Sequence, residues 1–147
     1  MSPKMSADAF NAFLERNFPQ VSGEFEVIDL YDMGARTRLI VKDKHLRPGG
    51  TVSGPTLFGL ADLAMYAAIL GMVGPKALAV TTNCSIDFMR KPEATTNLIG
   101  ECRLHKLGRV LAVGDVLIFP EGSDKAVARA SLTYSLPPAG SAADIDA

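Results

Sequence analysis

The chain predicts an α+β fold in which a curved antiparallel β-sheet wraps around one long helix. Three observations carry that prediction. The stretch from Arg47 to Val73 opens as a loop rich in Gly and Pro and continues as a long apolar helix. Runs with strand-like alternation lie on both sides of it, two before and four after. The links between those runs are mostly short and turn-forming, so successive strands pair as hairpins. A sheet made of hairpins can bury a single helix only by curling around it.

The totals agree with one soluble domain. The chain has 147 residues, 48% hydrophobic and 21% charged, enough for a sizeable core and unlike a disordered chain. A formal net charge of -1 gives no general attraction to nucleic acid or to an anionic membrane surface. The two cysteines, Cys84 and Cys102, form neither a CxxC pair nor a Cys/His cluster, so a disulfide framework and a zinc site are both unsupported. A reduced, cytosolic setting is expected, and the N-terminal residues lack the apolar core of a signal peptide. No metal or other cofactor is expected. Residues 1–22 read as a helix and linker packed on the domain, 23–136 as the domain itself, and 137–147 as a disordered tail too small and polar to pack.

In chain order, Ser6 can cap a helix over Ala7 to Asn17, in which Ala9, Phe10, Phe13 and Leu14 make an apolar stripe. Pro19 and Gly23 end it. Glu24 to Tyr31 and Ala35 to Lys42 read as strands joined at Asp32-Met33-Gly34. In the second, Ala35, Thr37, Leu39 and Val41 alternate with Arg36, Arg38, Ile40 and Lys42, which gives one mostly cationic, wet face. Ala79 to Met89 has the clearest alternation, with Val80, Thr82, Cys84, Ile86 and Phe88 on one face and Thr81, Asn83, Ser85 and Asp87 on the other. Asn97 to Lys106, Arg109 to Pro120 and Lys125 to Leu136 complete the sheet around turns at Leu107-Gly108 and Glu121-Gly122-Ser123.

The apolar helix carries the one puzzling charge. Asp62 is the only charged residue between Arg47 and Lys76. A membrane span is disfavoured, because an Asp near a bilayer midplane costs about 2.5–3.5 kcal/mol and the segment also holds interior glycines. On a helical wheel Ala61, Ala64, Ala68 and Gly71 form a small-residue stripe suited to close packing on the sheet. Asp62 lies well away from that stripe, among Phe58, Met65, Tyr66 and Ile69, so a second apolar face needs another subunit or an apolar ligand. A lone carboxylate there needs a cation, a hydrogen-bond donor or a chemical task. Arg47, Arg90 and Tyr66 are the partners considered. In the preceding loop Gly49, Gly50 and Gly54 allow close backbone approach, and Pro55 suits the first helical position. The N–H groups of that helix start, Gly54 included, can stabilise negative charge, an oxyanion among others.

These residues together resemble the hotdog-fold acyl-CoA thioesterases of the PaaI-like family, whose pattern is approximately N-x-x-G-x-x-H-G-G-x(6)-D. The resemblance spans roughly Glu24 to Leu136. Arg47-Pro48-Gly49-Gly50-Thr51-Val52-Ser53-Gly54-Pro55 occupies the loop, and Asp62 stands nine positions after Ser53. Ile86-Asp87-Phe88-Met89-Arg90-Lys91-Pro92 is similar to the family's I-x-F-L-R-P-A, and Gly108-Arg109 opens the next strand. The chain departs from the pattern at three points: Ser53 stands for the His, Pro55 for the second Gly and Arg47 for the Asn.

The resemblance implies a hotdog fold and hydrolysis of an acyl-CoA thioester. Asp62 would activate water or attack directly, and the Gly54 N–H would polarise the carbonyl. It also implies a homodimer or a dimer of dimers with sites at the subunit interface. Arg47, Ser53, Phe58, Met65 and Tyr66 are the expected substrate contacts, with Arg90, Lys91 and Arg109 as candidate contacts to phosphate or pantetheine. The alternative is a non-catalytic acyl-CoA or small-acid binding protein in which Arg47 neutralises Asp62. His45 reads as a polar turn residue, and His45 and His105 lack a metal-ligand spacing. Ser53 lacks the frame of a nucleophile elbow, no phosphate loop is present, and basic residues are not interleaved with stacking aromatics.

Overall fold

A computed structural model describes residues 2–75 and 78–138. Helix α1 spans Ala7–Asn17, and strands β1 (Phe25–Tyr31) and β2 (Gly34–Leu39) form the first hairpin. A single 3₁₀ turn, Asp43–His45, leads to helix α2 (Gly54–Val73). Then follow β3 (Val80–Phe88), β4 (Leu98–Leu107), β5 (Leu111–Pro120) and β6 (Ala128–Ser135). All six strands join one antiparallel sheet in the order β1-β2-β4-β5-β6-β3, with α2 packed on its concave face. This is the hotdog arrangement expected from the chain. Of the tail expected from residue 137, residues 139–147 lie outside the described residues.

Turn and capping chemistry explain the element boundaries. The Ser6 hydroxyl accepts the Ala9 N–H and starts α1, while the Phe18 N–H closes it on the Leu14 carbonyl. The β1–β2 turn places Met33 at φ 59, and Gly34 has no room for a side chain between the Tyr31 ring and the Cys102 carbonyl. In β2, Ala35, Thr37 and Leu39 are buried, while Arg36 and Arg38 project outward into ion pairs with Glu101, Glu26 and Glu121.

Close packing of α2 needs space on the sheet as well as small residues on the helix. A Cβ added at Gly100 in β4 would stand 3.2 Å from Leu60, and one at Gly114 in β5 would stand 2.9 Å from the Met65 sulfur. Leu60 and Met65 therefore occupy the volumes that side chains at those positions would take. Length and apolarity alone would let α2 cross a membrane, but here it is the mostly buried core helix.

Two sequence expectations change. The second helix face does not stay open along its length, because Met65 and Ile69 are fully buried. The close approach at Gly114 draws Met65 inward, where its sulfur also lies 3.8 Å from the Cys102 thiol. The regular alternation in β3 is interrupted by a bulge at Thr82, between the pairs Thr81–Tyr134 and Asn83–Thr133. The extra residue reverses the facing, so Thr81 turns toward α2 with Cys84 and Ile86, and Val80 is left exposed.

Candidate functional site

The start of α2 is held by a loop bonded to two parts of the fold. Gly49 and Gly50 adopt φ 103 and 82, conformations that suit glycine, and let Arg47 and Thr51 close the loop through an Arg47 N–H bond of 2.9 Å. The Val52 N–H donates to the Pro92 carbonyl at 3.0 Å, and the Ser53 N–H donates to the His45 carbonyl at 2.8 Å. Ser53 is the N-cap, its hydroxyl oxygen accepting the Thr56 N–H. Gly54 is the first helical residue and Pro55 the second. Among the described residues the Gly54 N–H has no acceptor. A Cβ there would meet the Phe88 ring at an ordinary contact distance of 3.4 Å, so that ring lies beside the helix start.

His45 supports that loop. It is buried, and its Nδ1 accepts the Lys42 N–H at 2.8 Å while Nε2 lies 2.7 Å from Glu24. A backbone N–H only donates, so Nδ1 carries no proton and the Nε2–H donates to Glu24. Lys44, and after it His45, hold the Glu24 carboxyl below its ordinary pKa against the opposing effect of burial. With both ring nitrogens engaged, His45 acts within the fold as a turn residue.

Asp62 lies halfway along α2. One carboxylate oxygen, Oδ1, accepts hydroxyl bonds from Thr81 and, at 2.8 Å, from Tyr134. Burial, then the Asp62 charge, push the Tyr134 pKa up, so this phenol stays protonated and remains a donor. Among the described residues the other oxygen, Oδ2, has no hydrogen-bond partner and Asp62 has no ion pair. Asp62 borders a cavity of about 360 Å³. Phe18, Leu63, Tyr66, Ala79 and Val80 supply its apolar side, and Asn17, Thr81 and Tyr134 its other polar groups. Two hydroxyls thus fix one oxygen of a carboxylate and leave the other able to take a proton from water.

The remaining expected site residues are dispersed. Phe58, one turn before Asp62, is 39% exposed, in line with its outward placement. Tyr66 is wedged between Phe10 and Tyr134, with ring centroids 6.1 and 6.4 Å away, and burial raises its pKa to about 12. Met65 is a core residue, closed off from the cavity. Arg47 is exposed in the loop. Arg90 donates 2.7 Å to the Ala126 carbonyl and borders a shallow pocket with Lys91. Arg109 lies elsewhere, near Val73 at the C-terminal end of α2. Gly54 and Asp62 are eight residues apart on one helix, about 12 Å along its axis. One thioester carbonyl cannot touch both within a single chain.

Sequence reasoning missed four residues at Asp62. Tyr134 and Thr81 face each other across β6 and β3, a pairing set by the bulge. Asn17 and Phe18 arrive from the end of α1. Only Tyr134 had a local signal, following Ala128, Ala130 and Leu132 at the inward positions of β6.

Residues 49–127, just over half the chain, match a family model described as the thioesterase superfamily. A candidate thioesterase from Silicibacter sp. TM1040 is similar in structure with a TM-score of 0.87 and 54% identity, covering 94% of this chain and 96% of that one. A mutant of the phenylacetic acid degradation protein PaaI from Thermus thermophilus gives 0.70 and 28%, over 81% and 99% of the two chains. The smu.793 protein of Streptococcus mutans UA159, solved bound to acetyl CoA, gives 0.68 and 23%, over 78% and 89%. No curated protein matches.

Proposed function

Since this chain belongs to the thioesterase superfamily and is a thioester hydrolase, we propose that its substrate is an acyl-CoA and that Asp62 and Gly54 carry the reaction. The observation behind this reading is the asymmetric carboxylate. Oδ1 is held by two hydroxyls and Oδ2 is free at a cavity wall. Water bound to Oδ2 loses a proton to Asp62 as its oxygen attacks the thioester carbonyl. The oxyanion forms at the Gly54 N–H, where the α2 dipole favours negative charge. Collapse of the tetrahedral intermediate breaks the C–S bond and releases CoA as a thiolate, which needs no strong acid. The acetyl CoA bound by the smu.793 protein supports the substrate class.

The 12 Å between Gly54 and Asp62 supports a shared site, with Asp62 from one subunit and Gly54 from the other. An exposed surface suited to that pairing exists along β3, whose only strand partner among the described residues is β6. Phe58, Phe88 and Met89 are exposed beside it. A cytoplasmic setting, with CoA in solution, fits two free thiols, one of them buried.

Thiol release from a panel of acyl-CoAs tests the assignment. Asp62→Asn is expected to lower kcat by about 10²–10⁴-fold while leaving the melting temperature near wild type. Undiminished turnover in that variant removes the catalytic role of Asp62. Saturable binding without turnover in the wild type favours a binding protein instead, although Arg47, the cation invoked for that alternative, makes no ion pair with Asp62.

A further inference from the structure

We propose that the end of α1 is the acyl-selecting wall of this site, with Phe18 setting the longest acyl group that fits. The inference rests on the placement of the thioester carbonyl at Asp62 and goes beyond it by assigning what limits the group attached to that carbonyl.

The chemistry of the cavity says which half of an acyl-CoA enters. None of its described lining residues is a cation, whereas CoA carries phosphates that seek Lys, Arg or backbone N–H groups. The lining is instead rich in aromatic and aliphatic side chains, with the Thr81 and Tyr134 hydroxyls gathered at Asp62. The acyl group belongs in such a space, and the nucleotide must lie outside it. About 360 Å³ is at the small end for ligand sites, so the fitting acyl groups are compact.

Phe18, 40% exposed, lines the rim of this space, and α1 holds its backbone there. Phe10, Phe13 and Leu14 anchor α1 in the core at no more than 1% exposure. The Asn11 side chain donates to the Val27 carbonyl at 3.0 Å and accepts the Val27 N–H at 2.8 Å, fastening the helix to β1. The Phe18 N–H bonds to Leu14 at 2.7 Å, and the Phe18 carbonyl accepts the Val21 N–H at 3.2 Å. The backbone on both sides of the residue is therefore fixed, which sets where its ring meets a growing chain. Asn17 stands beside it, its amide N–H spent on the Phe13 carbonyl at 3.1 Å.

The test compares wild type, Phe18→Ala and Phe18→Trp on straight-chain substrates from butyryl-CoA to dodecanoyl-CoA. The same series as S-alkyl-CoA thioethers, which cannot be hydrolysed, gives dissociation constants. The kcat/KM ratio of decanoyl over butyryl is expected to rise about tenfold in the alanine variant and to fall in the tryptophan variant. The thioether affinities should move in the same directions. An unchanged ratio, or an equal loss for every chain length, overturns the wall. If the wild type hydrolyses no thioester, the hydrolase mechanism fails, and the thioether series alone decides the wall. Absence of binding by any thioether overturns it too.

Discussion

The two halves of α2 belong to one apolar helix and have opposite surroundings. Up to Tyr66, the residues Gly54, Phe58, Asp62 and Tyr66 recur every four positions along one stripe that keeps access to solvent or cavity. In the second half Ala67, Ala68, Ile69 and Leu70 are buried around the whole circumference. The N-terminal segment seals that half, with Lys4 and Met5 N–H groups on the Gly71 carbonyl and Leu30 packed against Gly71. Hydropathy averages over these environments. The difference is made by the partners that the rest of the chain lays on each half, and the proposed chemistry falls on the half left uncovered.

The largest expected effect divides the open stripe between subunits. Gly54→Pro removes one N–H at the first helical position, and Ser53 at ψ 153 already has the extended conformation required before it, but position 54 itself precedes Pro55, so the substitution also strains the helix start. A fall in kcat of about 10²–10³-fold per folded molecule is expected, with the folded fraction measured alongside by circular dichroism. Co-expression of Gly54→Pro with Asp62→Asn should recover part of the lost activity, because a mixed dimer regains one complete site. Failure to complement would overturn the pairing of Gly54 and Asp62 in one site across subunits.

In the sealed half the effect should move from rate to stability. Ile69→Ala is expected to cost about 2–5 kcal/mol in denaturant unfolding with kcat per folded molecule unchanged. A changed kcat at full folding would erase the distinction between the halves. Removing the α1 anchor is gentler: Asn11→Ala should cost about 1–3 kcal/mol by leaving the Val27 N–H and carbonyl without their partner.

The smallest effect concerns the loop at the head of the open half. Glu24 has a folded pKa below its unfolded value, so its stabilising contribution is complete above the ordinary glutamate pKa of about 4.3 and is lost as pH falls through the lowered folded value. Unfolding of Glu24→Gln across acid pH should therefore converge on wild type as pH drops. A constant gap would mean that the carboxylate charge is immaterial there.

How much of this was legible from the residues depends on how far apart the interacting parts lie. The helices, hairpins and inward Ala35-Thr37-Leu39 set are local patterns and could be read directly. Asp62 and Gly54 stood out because charge and backbone freedom are conspicuous in an apolar, helix-starting context. The burial of Met65 was hidden because it depends on the missing side chain of Gly114, far along the chain. The inward turn of Thr81 was hidden because a bulge arises from strand pairing and has no signature in AVTTNCSIDFM. Tyr134 and Phe18 reach Asp62 only through topology.

The amide of Asn11 has a consequence at the scale of assembly. By taking both the N–H and the carbonyl of Val27, it occupies backbone groups that a further strand would use at the β1 side of the sheet. The β3 side has no such cover among the described residues. A sheet able to accept a strand at both margins can propagate into a fibre, whereas one open at a single margin stops at two copies. One side chain thus blocks strand addition at Val27.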